Sequence, residues 1–240
     1  MTPGRLGEIL GTPPTPRGTW EDEALYVSPA ALRRGEPPQE LAARVRALPG
    51  VAAVRVRADG FLEIVAAVPG ELLEEIGPPG HGEAAGHGGA AGAGGRTART
   101  GRQGRPAEAP WAFSPGTWDN PGFVVGYAHV RAAAVQRWAA ELGVPGEFRP
   151  RALSGARDRA VLRLLAELPG RRASRDPGWA AYAEQLALAY HDAFERAPAL
   201  PAGDEAPSAL HGARVRLARA VRDVLAEVLG ALGLQAPARM

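Results

Sequence analysis

Few side chains in this 240-residue chain are suited to covalent or metal chemistry. It contains no cysteine, and with no lysine present all 28 basic residues are arginine. Thiolate nucleophiles and cysteine-based zinc or iron–sulfur sites are therefore excluded, as are Schiff-base lysines, Walker-A lysines and lysine-dependent nucleotidyl transfer. His81 and His87, with Glu83 between them, lie in a glycine-rich stretch. That backbone preorganises no coordination geometry, so neither a metal nor a cofactor is expected. His191-Asp192 is an acid–base pair in principle. On an amphipathic helix with no nucleophile beside it, it reads as solvated surface, and no catalytic residue is expected. What remains is guanidinium chemistry. Arg149, Arg151, Arg157, Arg159, Arg163, Arg171, Arg172 and Arg175 crowd around one helical segment. Such an excess fits phosphate contact, and many solvated helices share it.

The elements that must hold these arginines follow from periodicity. Residues 1–24 contain Gly11-Thr12-Pro13-Pro14-Thr15-Pro16 and no apolar period, and are expected to be an irregular arm. In 25–76, Leu41, Val45 and Leu48 recur at helical spacing between Pro37-Pro38 and Pro49-Gly50. Val51 to Arg57 and Phe61 to Val68 then read as two strands joined at Ala58-Asp59-Gly60. This α+β unit is small for an independent core and should lean on the rest of the chain. Residues 77–110 are Gly/Ala-rich and carry Arg96, Arg99, Arg102 and Arg105 at every third position, a flexible basic linker.

Residues 111–240 carry four helical patterns and predict an antiparallel bundle of four or five helices, making the fold class mainly α with a small N-terminal α+β unit. Pro121 opens the first pattern, with Phe123, Tyr127, Val130, Ala134 and Trp138 on one stripe. Val161, Leu164, Leu165 and Leu168 mark the second. Asp176-Pro177 reads as an N-cap with proline at the first helical position of the third, and Ser208 caps the fourth. Net charge is −3 over 1–76, +2 over 77–110 and +3 over 111–240. There is no long apolar run and no leader, so a cytoplasmic monomer with no membrane partner is expected.

Asp119-Asn120-Pro121-Gly122-Phe123-Val124-Val125-Gly126-Tyr127-Ala128-His129-Val130-Arg131 resembles the opening helix of the arginyl-tRNA synthetase anticodon-binding (DALR-type) domain. Its family form is approximately N-P-x-[FY]-x-V-Q-Y-A-H-A-R. Val215 to Leu225 and Gly233-Leu234-Gln235-Ala236-Pro237-Ala238-Arg239-Met240 resemble the same domain's last helix and terminal G-[IV]-x-A-P-E-R-M. Tyr190-His191-Asp192-Ala193-Phe194 and Leu200-Pro201 lie between them in the family's order. Residues 37–68 are similar, less closely, to the end of the synthetase's N-terminal tRNA-binding domain, with Glu63 where asparagine is usual. In the family a catalytic domain of several hundred residues joins the two regions. Here 34 residues do.

The resemblance implies a non-catalytic protein that binds the anticodon arm of tRNA, arginine tRNA being the family's substrate, and that sequesters, chaperones or delivers it. The family's H-x-G-H loop is not found at any of the five histidines, and its lysine-containing loop has no counterpart. By resemblance, Tyr127, Arg131 and Met240 lie at the anticodon-loop surface. Tyr127 and Arg131 share a helix face at i, i+4, and Phe123, Arg157, Arg159 and Arg163 complete the expected RNA-binding set. Tyr127 read without the resemblance is equally a core residue, and His129 reads as a structural hydrogen-bonding histidine. Val124 stands where the family often has an aromatic, and Gly126 where it has glutamine. Two alternatives belong to the same sequence: a protein-interaction module that kept the bundle without RNA, and an accessory subunit for a separate synthetase.

Overall fold

The computed structural model describes residues 1–76 and 111–240. The expected linker, with its arginines and with His81, Glu83 and His87, lies outside the described residues.

Residues 1–24 are not an irregular arm. Thr2 caps helix α1 (Pro3–Leu10), its side chain accepting from Arg5 N, and Gly11 closes the helix in the left-handed conformation. The Glu75 carboxylate also accepts from the N–H groups of Gly4 and Arg5, the latter shared with Thr2, and from the hydroxyl of Thr2, which suits an anion at a helix N-terminus. Strand β1 (Thr15–Arg17) then pairs antiparallel with β2 (Ala24–Ser28). Pro16 sits within β1, and β1 is an edge strand, where a missing N–H breaks few ladder bonds. At eight and three residues, these elements are too short for an apolar period to reveal them.

After helix α2 (Ala30–Arg34), helix α3 (Pro38–Arg46) and strands β3 (Val51–Val56) and β4 (Leu62–Ala66) fall where periodicity places them. The antiparallel sheet has the order β1-β2-β4-β3. Leu6, Trp20, Tyr26, Leu41, Leu62 and Ile64 are fully buried in this unit. Trp20 is the one non-glycine residue with positive φ among the described residues, at 65°, and its indole Nε1 donates to Leu25 O. A 3₁₀ turn, Pro69–Glu74, ends the unit.

The C-terminal region is a bundle of α4 (Pro121–Glu141), α5 (Ala156–Leu165), α6 (Leu168–Arg172), α7 (Trp179–Arg196) and α8 (Ala209–Ala231). The second expected helix is two, because Pro169 has no N–H to continue the ladder from α5. Asp176 is not an N-cap. Arg171 Nη1 donates to Pro177 O at 2.6 Å and Ser174 Oγ bonds Asp176, so the chain turns there and α7 starts at Trp179 after Gly178, φ 58°. Ser208 caps α8 in a capping box whose reciprocal partner is His211.

On α4 the stripe of Phe123, Tyr127, Val130, Ala134 and Trp138 is not the core face as a whole, since of these only Ala134 is buried. Val124, Val125, Ala128, Ala132, Val135 and Ala139 are buried, while Trp138 is exposed. Small side chains let α7 and α8 approach α4 closely, and a helix apolar on most sides does not announce its inward face. Asp158, in the first turn of α5, is buried and paired with Arg214 of α8 at 3.0 Å. Burial pushes its carboxyl above the usual range against the opposing pull of Arg214. No described helix is long and apolar enough to cross a membrane.

Candidate nucleic-acid interface

Asn120, the chain's one asparagine, builds the entrance to α4. Its Oδ1 accepts from Gly122 N at 3.0 Å, while its Nδ2 donates to Ala112 O at 3.1 Å and Pro115 O at 2.8 Å. Residues 112–118 are thereby folded back on the first turns of the helix as a strap. Two glycines make the fit possible. A Cβ on Gly122 would stand 2.3 Å from Ala112 O, and one on Gly126 would stand 2.9 Å from both the Phe113 ring and Met240 Sδ. Gly126 is therefore a seat for Phe113 and for the C-terminal methionine, which remains 47% exposed. His129 holds the same tail, its Nδ1 donating to Pro237 O at 3.1 Å, and burial lowers its pKa.

On the neighbouring face of α4 lies an aromatic cluster. Phe123 and Tyr127 stack at 5.4 Å with 14° between planes. His191 of α7 lies 5.6 Å from Tyr127, tilted by 31°. The Arg131 guanidinium sits 4.5 Å from the Tyr127 centroid and 4.6 Å from that of Phe194, within cation–π range of both. Trp118, at the end of the strap, meets Phe123, Tyr127 and His191 at 5.9, 6.0 and 5.0 Å, its plane steeply inclined to all three.

His191 fixes the guanidinium. Its Nε2–H donates to Val124 O at 3.0 Å, so its Nδ1 is left to accept from Arg131 Nη1 at 3.2 Å. Burial lowers the His191 pKa and nearby Arg131 lowers it further, against the hydrogen bond to Val124. Arg131 also pairs with Glu195 at 3.3 Å. His191, read from sequence as solvated surface, is instead a buried structural group. Only its place on α7, opposite the start of α4, gives it that role.

The expected RNA-binding residues thus divide. Phe123, Tyr127 and Arg131 come together, while Met240 packs over Gly126 on the neighbouring face. The α5 arginines are engaged elsewhere. Arg159 Nη1 donates to Trp20 O, Glu21 O and Asp22 O at 3.3, 3.1 and 2.9 Å, and Arg163 Nε donates to Gly18 O at 2.9 Å. Both clamp the β1–β2 loop to the bundle. Arg157 pairs with Asp192 at 3.0 Å. Trp118 and His191 are the cluster members that sequence reasoning did not select. The cue for Trp118 was a tryptophan two residues before an N-cap.

The family model of the DALR anticodon binding domain matches residues 125–240. Residues 125–240 are a DALR anticodon-binding domain. The chain is also 42% identical over 128 residues to the arginine–tRNA ligase of Clavibacter sepedonicus, an alignment covering 51% of this chain and 23% of the ligase. The chain thus spans about a quarter of that relative's length, and the likeness lies over the C-terminal half of the chain. The aromatic cluster straddles its boundary, for Tyr127, Arg131, His191 and Met240 lie inside the matched region while Trp118 and Phe123 precede it.

Proposed function

We propose that this chain binds the anticodon arm of tRNA through its DALR domain and does not charge it, acting to sequester, chaperone or deliver the RNA. The observation that carries this reading is the half-open cluster of Trp118, Phe123, Tyr127 and Arg131 at the start of that domain. Single-stranded loops are recognised by stacking of splayed bases on aromatic rings and guanidinium planes. The non-catalytic half rests on the sequence, which has no lysine for an adenylate loop and no H-x-G-H among its histidines. Arginine tRNA is the proposed ligand because a matching relative is an arginine–tRNA ligase.

Electrophoretic shift of arginine tRNA against other tRNAs tests the proposal. Preferential retention of arginine tRNA is expected, along with no arginine- and ATP-dependent charging by the protein alone. Equal and steeply salt-dependent binding of all tRNAs would remove the specificity, leaving only phosphate attraction. No binding at all would favour a protein-interaction module.

A further inference from the structure

We propose that Trp118, which precedes the DALR match, is the ring on which an unpaired base of the bound RNA loop stacks, with Phe123, Tyr127 and His191 as its support. This rests on the anticodon-arm reading above.

Tyr127 is poorly placed to receive a base. Phe123 and Arg131, at i−4 and i+4, flank it from the two directions along the helix axis, one in a parallel stack and the other with its guanidinium over the ring. His191 approaches from α7. A base reaching Tyr127 would have to displace one of these. Arg131 is itself tied to His191 and Glu195.

Trp118 is 56% exposed, the most open large apolar side chain among the described residues. It is nonetheless held against three rings, each at 5.0 to 6.0 Å and each at 67° or more to the indole plane, so none of these three lies parallel to it. Its backbone is pinned as well. Thr117 N bonds Pro115 O, Asn120 N bonds Thr117 O, and the Asn120 side chain bonds the strap at two carbonyls. An indole fixed in this way loses little freedom on binding, which is the condition under which an aromatic contact contributes most. The ligand class is an unpaired nucleobase in an RNA loop. Every base has a π-face, so this contact adds affinity with little sequence preference.

The test is titration of an anticodon stem-loop RNA against the full chain, its W118F and W118A variants, and W138A. Stacking predicts a loss of roughly ten- to hundred-fold for W118A, partial retention for W118F and near wild-type affinity for W138A, which removes a second exposed tryptophan at the far end of α4. It also predicts quenching of indole emission on binding that W118F no longer shows, a signal that a merely structural role would not move. Wild-type affinity in W118A would overturn the proposal and leave the anticodon-arm reading intact. Tighter binding by W118A would overturn it in favour of Trp118 as a cover over Tyr127. Failure of the wild-type chain to bind the stem-loop would overturn both.

Discussion

His191 connects the bundle core to the cluster through one proton. Its Nε2–H is committed to Val124 O, so protonation can only occur at Nδ1, where Arg131 already donates. The folded state therefore favours the neutral ring, and the unfolded chain binds the proton more readily. For a base whose folded pKa is depressed, stability is fully present above the unfolded value and declines as pH falls below it. The expected outcome is a melting temperature that drops as pH is lowered through about 6.5, the ordinary histidine value, toward the lower folded value. His129 acts in the same direction. Asp158 acts in the opposite one, since its raised pKa favours the folded state at lower pH. The check is therefore a comparison: His191→Gln should melt with a shallower pH slope than wild type across that window, and equal slopes would refute the assignment. At Asp158 itself, Arg214→Ala leaves a buried carboxylate without its partner, which costs about 3–5 kcal/mol. Urea unfolding should register that as a large fall in midpoint with helix content retained in the folded baseline.

The strap and the start of α4 form a unit whose tolerance depends on two missing side chains. A methyl group on Gly122 meets a backbone carbonyl at 2.3 Å, so Gly122→Ala should detach residues 112–118 from the helix. Faster proteolysis within the strap and a red-shifted indole emission are the expected readouts, and unchanged proteolysis would count against the packing described. Gly126 differs, because one of the atoms its Cβ would meet is the sulfur of a flexible, half-exposed methionine. The apparent loss of a family glutamine there is a change of neighbour as well as of helix propensity. None of this was legible in the sequence. Proline and asparagine announced where α4 begins, but which residues fold back onto it depends on contacts between positions that have no periodic relation.

Across the whole molecule, the α5 arginines join the N-terminal unit to the bundle. Arg159 gathers three carbonyls from the loop that contains Trp20, Arg163 takes a fourth, and Arg216 of α8 donates to Leu73 O at 3.4 Å. Gly70 lies so close to the bundle that a Cβ would stand 2.4 Å from Pro150 O. A hydrogen bond from a charged donor contributes about 1.5–3 kcal/mol net, and the two N–H groups of Arg159 Nη1 are shared among its three carbonyls. Arg159→Met should therefore lower the urea midpoint and loosen the N-terminal unit, seen as faster amide exchange in β1 and β2. Gly70→Ala should do the same through the backbone clash. If Arg159→Met instead left exchange in β1 and β2 unchanged while weakening RNA binding, the arginine would belong to the RNA face after all.

By itself the sequence determined the helical bundle, its order and the DALR likeness, because these rest on local periodicity and on motifs whose residues are close in the chain. It also determined the absence of lysine and cysteine chemistry, which no fold can alter. Only the tertiary structure decided what Tyr127 and the arginines face. Tyr127 could be read as core or as surface, and it is neither fully: its ring is flanked within the cluster while Trp118 stands at the cluster's exposed edge. Arg159 and Arg163 carried the charge of a phosphate site in the sequence, yet they meet carbonyls of a loop about 140 positions earlier. A guanidinium binds phosphate and carbonyl oxygen with the same donors, so composition records its capacity and only three-dimensional proximity selects the acceptor.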